Sequence, residues 1–303
     1  MFKNLLVPLD GSTLSEASLE AAAVLAERLD APVTLLHVIE QDAPAQVHAE
    51  RHLTNPQEAE TYLRGVAERA FPPGVKVRTH VHTAPVTDVA RSIVEHAANE
   101  FQPDLIVTST HGRGGMHDLL FGSIAQQVVA QGTTPLLIIK PEAGQFQLRR
   151  ILLPLDPDSF HDDSLAPGAE IAGTFKSQLM LLSVIHTFST LTGEQAATSS
   201  LMPGATQAML DLREENAREH LVEHVRALRQ DGIAASAIVA RGDPASTIVK
   251  TADEQTADMI ILCTHRKSGV GAFWARSVAP TVARLTKTPL LLFPLPDRPP
   301  VQP

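Results

Sequence analysis

Cysteine is almost missing from this chain: Cys263 is the only one among 303 residues. A single thiol excludes an intramolecular disulfide and a thiolate metal cage within one chain, and it fits a reducing compartment. Long apolar runs are missing too, since no stretch reaches the roughly eighteen consecutive apolar residues of a membrane helix. No block of one charge occurs. The 25 Lys and Arg and 34 Asp and Glu leave a formal charge of −9 without an acidic tail or a basic cluster, which argues against nucleic acid or an anionic membrane as partner. The opening MFKNLLVPLDGS has only a few apolar residues before Pro8 and Asp10, too few for a signal peptide, so a cytoplasmic protein is expected. Two chemical signatures are also lacking. Without G-x-x-x-x-G-K-[ST] a fast P-loop ATPase is not indicated, and without G-x-S-x-G there is no nucleophile elbow. No catalytic residue is assigned, and any ATP cleavage is expected to be slow.

What is present is a repeat. NLLVPLDGS (4–12) returns as RILLPLDPD (150–158), VTLLHVI (33–39) as LMLLSVI (179–185), DLIVTSTHG (104–112) as DMIILCTHR (258–266), and TTPLLIIK (133–140) as KTPLLLFP (287–294). Four blocks in the same order imply a duplicated domain. Each is a short Leu, Ile and Val run without clean alternation, the pattern of a strand buried on both faces of a parallel sheet. Helical patterns lie between them. Thr13 to Glu16 has capping-box spacing, and Asn55-Pro56 with Glu58 supplies a cap, a first-turn proline and an acid. Further strands are expected at 75–83, 104–110 and 135–140, and helices at 88–99 and 120–131. In the second half, 188–204 reads as a long loop before a helix over 206–230 that Gly232 ends. The fold class is therefore α/β, as two tandem Rossmann-like doubly wound domains, each a five-stranded parallel sheet with helices on both faces. The domains are expected at 1–142 and 149–296, with a mobile Pro-rich tail at 297–303.

In such a sheet a ligand sits beyond the carboxyl ends of the strands, where the strand order reverses. The candidate loops are Asp10-Gly11-Ser12 and STHGRGGMHDLLFGS (109–123). Glycines at 112, 114, 115 and 122 permit close backbone approach, and Ser123 lies near the start of a helix whose free N–H groups favour anions.

Here the chain resembles the universal stress protein family, whose ATP-binding members carry G-x-x-G-x9-G-[S/T] after the fourth strand. Ser109 stands at the first glycine, Gly112 at the second, and Gly122 and Ser123 follow after nine residues. The resemblance spans nearly the whole chain, including the V-P-L-D start and the L-L-H-V-I second strand. It implies that Asp10 faces the adenosine, that the backbone around Val38 holds the adenine, and that Gly112, Gly122 and Ser123 hold the phosphates of ATP with Mg²⁺. Pro8, Leu9, His111, Arg113 and Ile124 flank these positions and complete the candidate cofactor-binding set. The second half departs from the pattern: Cys263, Arg266, Arg276 and Ser277 occupy the corresponding places. Arginine for glycine removes the close backbone approach, so ordinary nucleotide binding is expected to be lost there.

Thirteen histidines raise a metal site as a rival. His80 and His82 share a strand face and His161-Asp162-Asp163 forms a cluster, but no third ligand stands at diagnostic spacing, and no protein-held metal is expected. His111 and His265 occupy one repeat position, which points to a shared structural role. Two functions remain: an ATP-binding stress-response regulator whose ordered loop an unknown partner protein recognises, or a nucleotide-independent scaffold. Single-domain members of the family pair through the fifth strand, so 135–140 and 289–294 are expected to meet edge to edge as an intramolecular pseudo-dimer, with a homodimer of tandem chains as a further expectation.

Overall fold

The computed structural model describes residues 1–47, 50–110, 123–155, 164–191, 193–265 and 277–295. Contacts divide it into two compact units. The first takes Met1–Phe146 with 264–265 and 289–295, and the second takes Gln147–Cys263 with Ser277–Thr288.

The first unit runs β1 (Leu5–Pro8), α1 (Thr13–Glu16), α2 (Leu19–Leu29), β2 (Val33–Glu40), the hairpin strands β3 (Gln46–Val47) and β4 (Glu50–Arg51), α3 (Pro56–Ala70), β5 (Val77–Val86), α4 (Val89–His96), β6 (Leu105–Ser109), α5 (Ser123–Gln131) and β7 (Leu136–Ile139). Its strands lie in the order β5-β2-β1-β6-β7 and are parallel. Leu5, Leu6, Leu35, Leu36, Leu105 and Ile106 are all fully buried, as a sheet covered on both faces requires. Helices α2 and α3 pack together, and α4 packs on α5.

Local chemistry explains where the helices begin. Asn55 is extended, and its side chain accepts from the backbone N–H groups of Gln57 (2.9 Å) and Glu58 (3.1 Å), with Pro56 in the first turn. Asn55→Ala is expected to cost about 1 kcal/mol, read as a lower urea midpoint at unchanged slope. At the first helix the cap lies one residue earlier than the T-x-x-E spacing indicates. Ser12, extended, accepts from Ser15 N–H at 3.2 Å, and Thr13 is already helical. Asp88 caps α4 by accepting from Arg91 N–H at 2.9 Å. That helix then widens into a π-helical turn, Ala97–Phe101.

A sixth strand completes this sheet. β12 (Leu290–Leu295) runs antiparallel to β7, with Leu290, Leu291 and Leu292 opposite Ile138, Leu137 and Leu136. All six side chains are at most 2% exposed, so the apolar edge of β7 is covered.

The second unit runs β8 (Arg150–Leu155), α6 (Leu165–Phe175), β9 (Gln178–Ile185), a 3₁₀ turn at Phe188–Thr190, α7 (Gly193–Leu201), α8 (Pro203–Gln230), β10 (Ala235–Arg241), α9 (Pro244–Glu254), β11 (Met259–His265) and α10 (Ala279–Leu285). Strands β10-β9-β8-β11 are parallel neighbours in that order. Residues 188–204 are not the long loop expected from their Thr, Ser and Gly content. Glu, Gln, Ala and Leu between 194 and 201 support helix α7, and Pro203 in the first turn of α8 starts that helix earlier than 206. Gly232, at φ +80°, ends α8 by the left-handed turn that glycine adopts freely.

Candidate functional site

Chain direction creates the site. From β1 the chain crosses to β2 on one side, and from the adjacent β6 it crosses to β7 on the other. The strand order therefore reverses between β1 and β6, and the carboxyl edge at such a point is where doubly wound sheets admit a ligand.

Pro8 closes β1, and the N–H of buried Leu9 donates to the Leu36 carbonyl at 2.8 Å. Asp10 Oδ1 accepts from Ser12 N–H (2.8 Å) and from the Ser12 hydroxyl (2.6 Å), which locks the turn. Val38, buried in β2, stands opposite His82 of β5. Ser109 ends β6, and its hydroxyl donates to the Leu14 carbonyl at 2.5 Å. The side chain that stands where the family pattern has glycine is thus tied to α1. Ser123 opens α5, and Ile124 is 45% exposed. His111, Gly112, Arg113 and Gly122 lie outside the described residues. The fold brings Pro8, Leu9, Asp10 and Ser109 to neighbouring strand ends, with Val38 one strand away.

Other residues at these strand ends carry no sequence motif. The segment after the β3–β4 hairpin folds over the turn that follows β1. Glu50 Oε1 accepts from Thr13 N–H at 2.9 Å and also from the Thr13 hydroxyl. Gly11 sits at φ +91°, and a Cβ there would come within 2.5 Å of Leu53 Cδ1, so the covering segment needs glycine beneath it. His37, 1% exposed, joins the two layers: Nδ1 lies 2.7 Å from the Leu9 carbonyl oxygen and Nε2 lies 2.9 Å from that of Leu53. The one signal for it in the sequence is a polar residue inside LLHVI. At the end of β7, Lys140 donates to the Thr110 hydroxyl at 3.0 Å. Burial holds its ammonium below the usual lysine range, against the pull of Glu142.

In the second unit Pro154 lies in β8 and Asp156, Arg266 and Arg276 lie outside the described residues. Ser277 turns its hydroxyl to the start of α10, accepting from Ala279 N–H at 3.2 Å. Burial pushes the Cys263 thiol up to about 11, while its contact with the Ser164 carbonyl pulls the other way. At neutral pH it is a thiol and a poor nucleophile.

This arrangement defines a tandem doubly wound α/β protein in which the carboxyl ends of β1 and β6 lie side by side at the switch point of the first sheet. The chain belongs to the universal stress protein family, whose model matches residues 1–140 and again 147–294. A universal stress protein of Methanocaldococcus jannaschii is 28% identical over 146 residues, covering 46% of this chain and 83% of the relative. One from Bacillus subtilis is 29% identical over 152 residues, covering 46% of this chain and 100% of the relative. Each thus corresponds to about half of the tandem chain. The crystal structure of a universal stress protein from Archaeoglobus fulgidus superposes with a TM-score of 0.68 at 18% identity, covering 96% of both chains. Among the described residues no helix is long and apolar enough to cross a membrane.

Proposed function

We propose that this is a stress-response regulator that binds one ATP, with Mg²⁺, in its first unit and none in its second, and that hydrolysis is slow or absent. The observation that carries the proposal is the adjacency of the β1 and β6 carboxyl ends at the switch point, in the unit whose sequence retains Gly112, Gly122 and Ser123 at full spacing. Backbone N–H groups at Gly112, Gly122 and the start of α5 would hold phosphate oxygens, and Asp10 with the backbone near Val38 would border the nucleoside. Occupancy would order the 109–123 loop, and a partner protein would recognise the ordered form. A cytoplasmic location accords with the single cysteine.

Calorimetry of nucleotide-stripped protein with Mg-ATP tests this. About one site per chain is expected, with binding abolished by Gly122→Arg. Restoring glycine at both arginines of the second loop (Arg266→Gly with Arg276→Gly) is expected to raise the stoichiometry toward two. Binding that survives Gly122→Arg would place the nucleotide elsewhere. One observation favours a nucleotide-independent scaffold instead: the Ser109 hydroxyl, where the family pattern has glycine, is engaged with the Leu14 carbonyl. No binding heat and no thermal shift with ATP would select that alternative.

A further inference from the structure

β5 is the edge strand of the first unit's sheet. His80 and His82, two residues apart, project from one of its faces. Opposite them stands His96 in the last turn of α4, and the π-helical turn that follows places Glu100 beside it. Widened turns of this kind recur at functional sites. Four side chains from the edge strand and the helix that follows it therefore converge.

Their contacts are close. His96 Nδ1 lies 2.8 Å from Glu100 Oε2, and His96 Nε2 lies 3.0 Å from His82 Nδ1. His80 Nδ1 lies 3.7 Å from Glu100 Oε1. One ligand atom each from His80, His96 and Glu100 falls within 4.8 Å of the other two. A tetrahedral ion with Zn–N bonds of about 2.0–2.1 Å needs donor atoms about 3.3 Å apart, within reach of small side-chain rotations. Phe101 backs the group, stacked on His96 with centroids 5.7 Å apart and edge-on to His80 at 5.0 Å. This apolar wall limits where the rings can turn. On the water side the side chain of Glu100 is 47% exposed and that of His96 14%. His82, His96 and Glu100 also border an open cleft of about 620 Å³.

With Nε2–H donated to His82 Nδ1, the Nδ1 lone pair of a neutral His96 faces Glu100 and can ligate a cation; the opposite tautomer donates Nδ1–H to Glu100 instead.

We propose that His80, His96 and Glu100 form a binding site for a divalent transition cation of the zinc type. His82 orients His96 through its second nitrogen, and water from the cleft takes the fourth position. Imidazole with carboxylate is a ligand set for Zn²⁺, Co²⁺ and Ni²⁺ rather than for Ca²⁺ or Mg²⁺. A second partner on the far nitrogen is the usual companion of a ligating histidine. The ion would fasten the edge strand β5 to α4, independently of any nucleotide.

The test is titration of the tag-free, chelator-treated full chain with Zn²⁺ and Co²⁺. Calorimetry gives stoichiometry, the visible absorption of Co²⁺ gives coordination, and thermal unfolding gives the linked stabilisation. One saturable Zn²⁺ per chain is expected, with affinity lowered at least tenfold by His96→Gln. Glu100→Gln alters a half-exposed side chain, so the fold is retained, and a loss of about ten- to hundredfold is expected. His220 and His224, 2.9 Å apart on α8, form a separate pair, and the double variant His220→Ala with His224→Ala is expected to bind as the parent does. Absence of saturable binding overturns the proposal. Binding that persists unchanged in Glu100→Gln and His96→Gln, or that vanishes with the α8 pair, overturns it equally.

Discussion

Replacing His37 with leucine is expected to lower stability by about 2–4 kcal/mol and to weaken the proposed Mg-ATP binding in the same variant. The ring is 1% exposed and lies between the carbonyls of Leu9 and Leu53. Leucine fills much of the volume but offers no N–H, and a buried carbonyl left without its donor costs about 1–3 kcal/mol. Because Leu53 covers Gly11, loss of the bridge also loosens the Leu53 end of the 50–53 segment over the turn that bears Asp10, although Glu50 still holds Thr13. Urea unfolding at unchanged slope measures the first effect and calorimetry the second. His37→Gln, which keeps a donor, should lose less of both. A change within about 0.5 kcal/mol would show that the ring only fills space.

Leu291→Ala is expected to cost about 2–5 kcal/mol, the range for a buried leucine emptied to alanine. That corresponds to a fall in melting temperature on the order of 10 °C for a unit of this size. Leu291 is 1% exposed and pairs with Leu137, which is 2% exposed. Leu291→Asp should be worse, because an unpaired carboxylate would be buried between leucines, and soluble yield should collapse. Were β12 only a loose terminal strand, both variants would behave as surface changes, within about 0.5 kcal/mol of the parent. Thermal and urea unfolding of the two variants beside the parent separates these outcomes.

Much of the fold was legible in the sequence because its signals are local. Buried parallel strands need unbroken apolar runs: β1, β6 and β7 fall within the block 4–12 and the expected strands 104–110 and 135–140, and β2 extends the block 33–39 by Glu40. Asn55-Pro56-Gln57-Glu58 specified its own helix start, since cap and capped N–H groups lie within three residues. Segment 188–204 misled because Thr, Ser and Gly content outweighed the helix formers between 194 and 201, which pack through α7 on α8. The candidate site was legible in part. Asp10 and Ser109 were expected at strand ends from the loop after the first strand and from the family resemblance, and they lie just past β1 and at the end of β6, whereas Glu50 and Leu53 lie in a segment without periodicity and Lys140 ends an apolar run with no pattern beyond it.

The sequence by itself determined the duplication, the α/β class, the family and the unlike chemistry of the two fourth-strand loops. All of these are written in residue type and short spacing. Tertiary structure alone decided three things: that His37 spans from Leu9 to Leu53, that Ser109 bonds Leu14, and that His96 and Glu100 supply His80 and His82 with the partners their own strand lacks. The physical reason is the same each time. These contacts join residues 14 to 95 positions apart or lie across a strand and a helix, and only the crossover of a helix back onto the sheet brings such groups within hydrogen-bond distance.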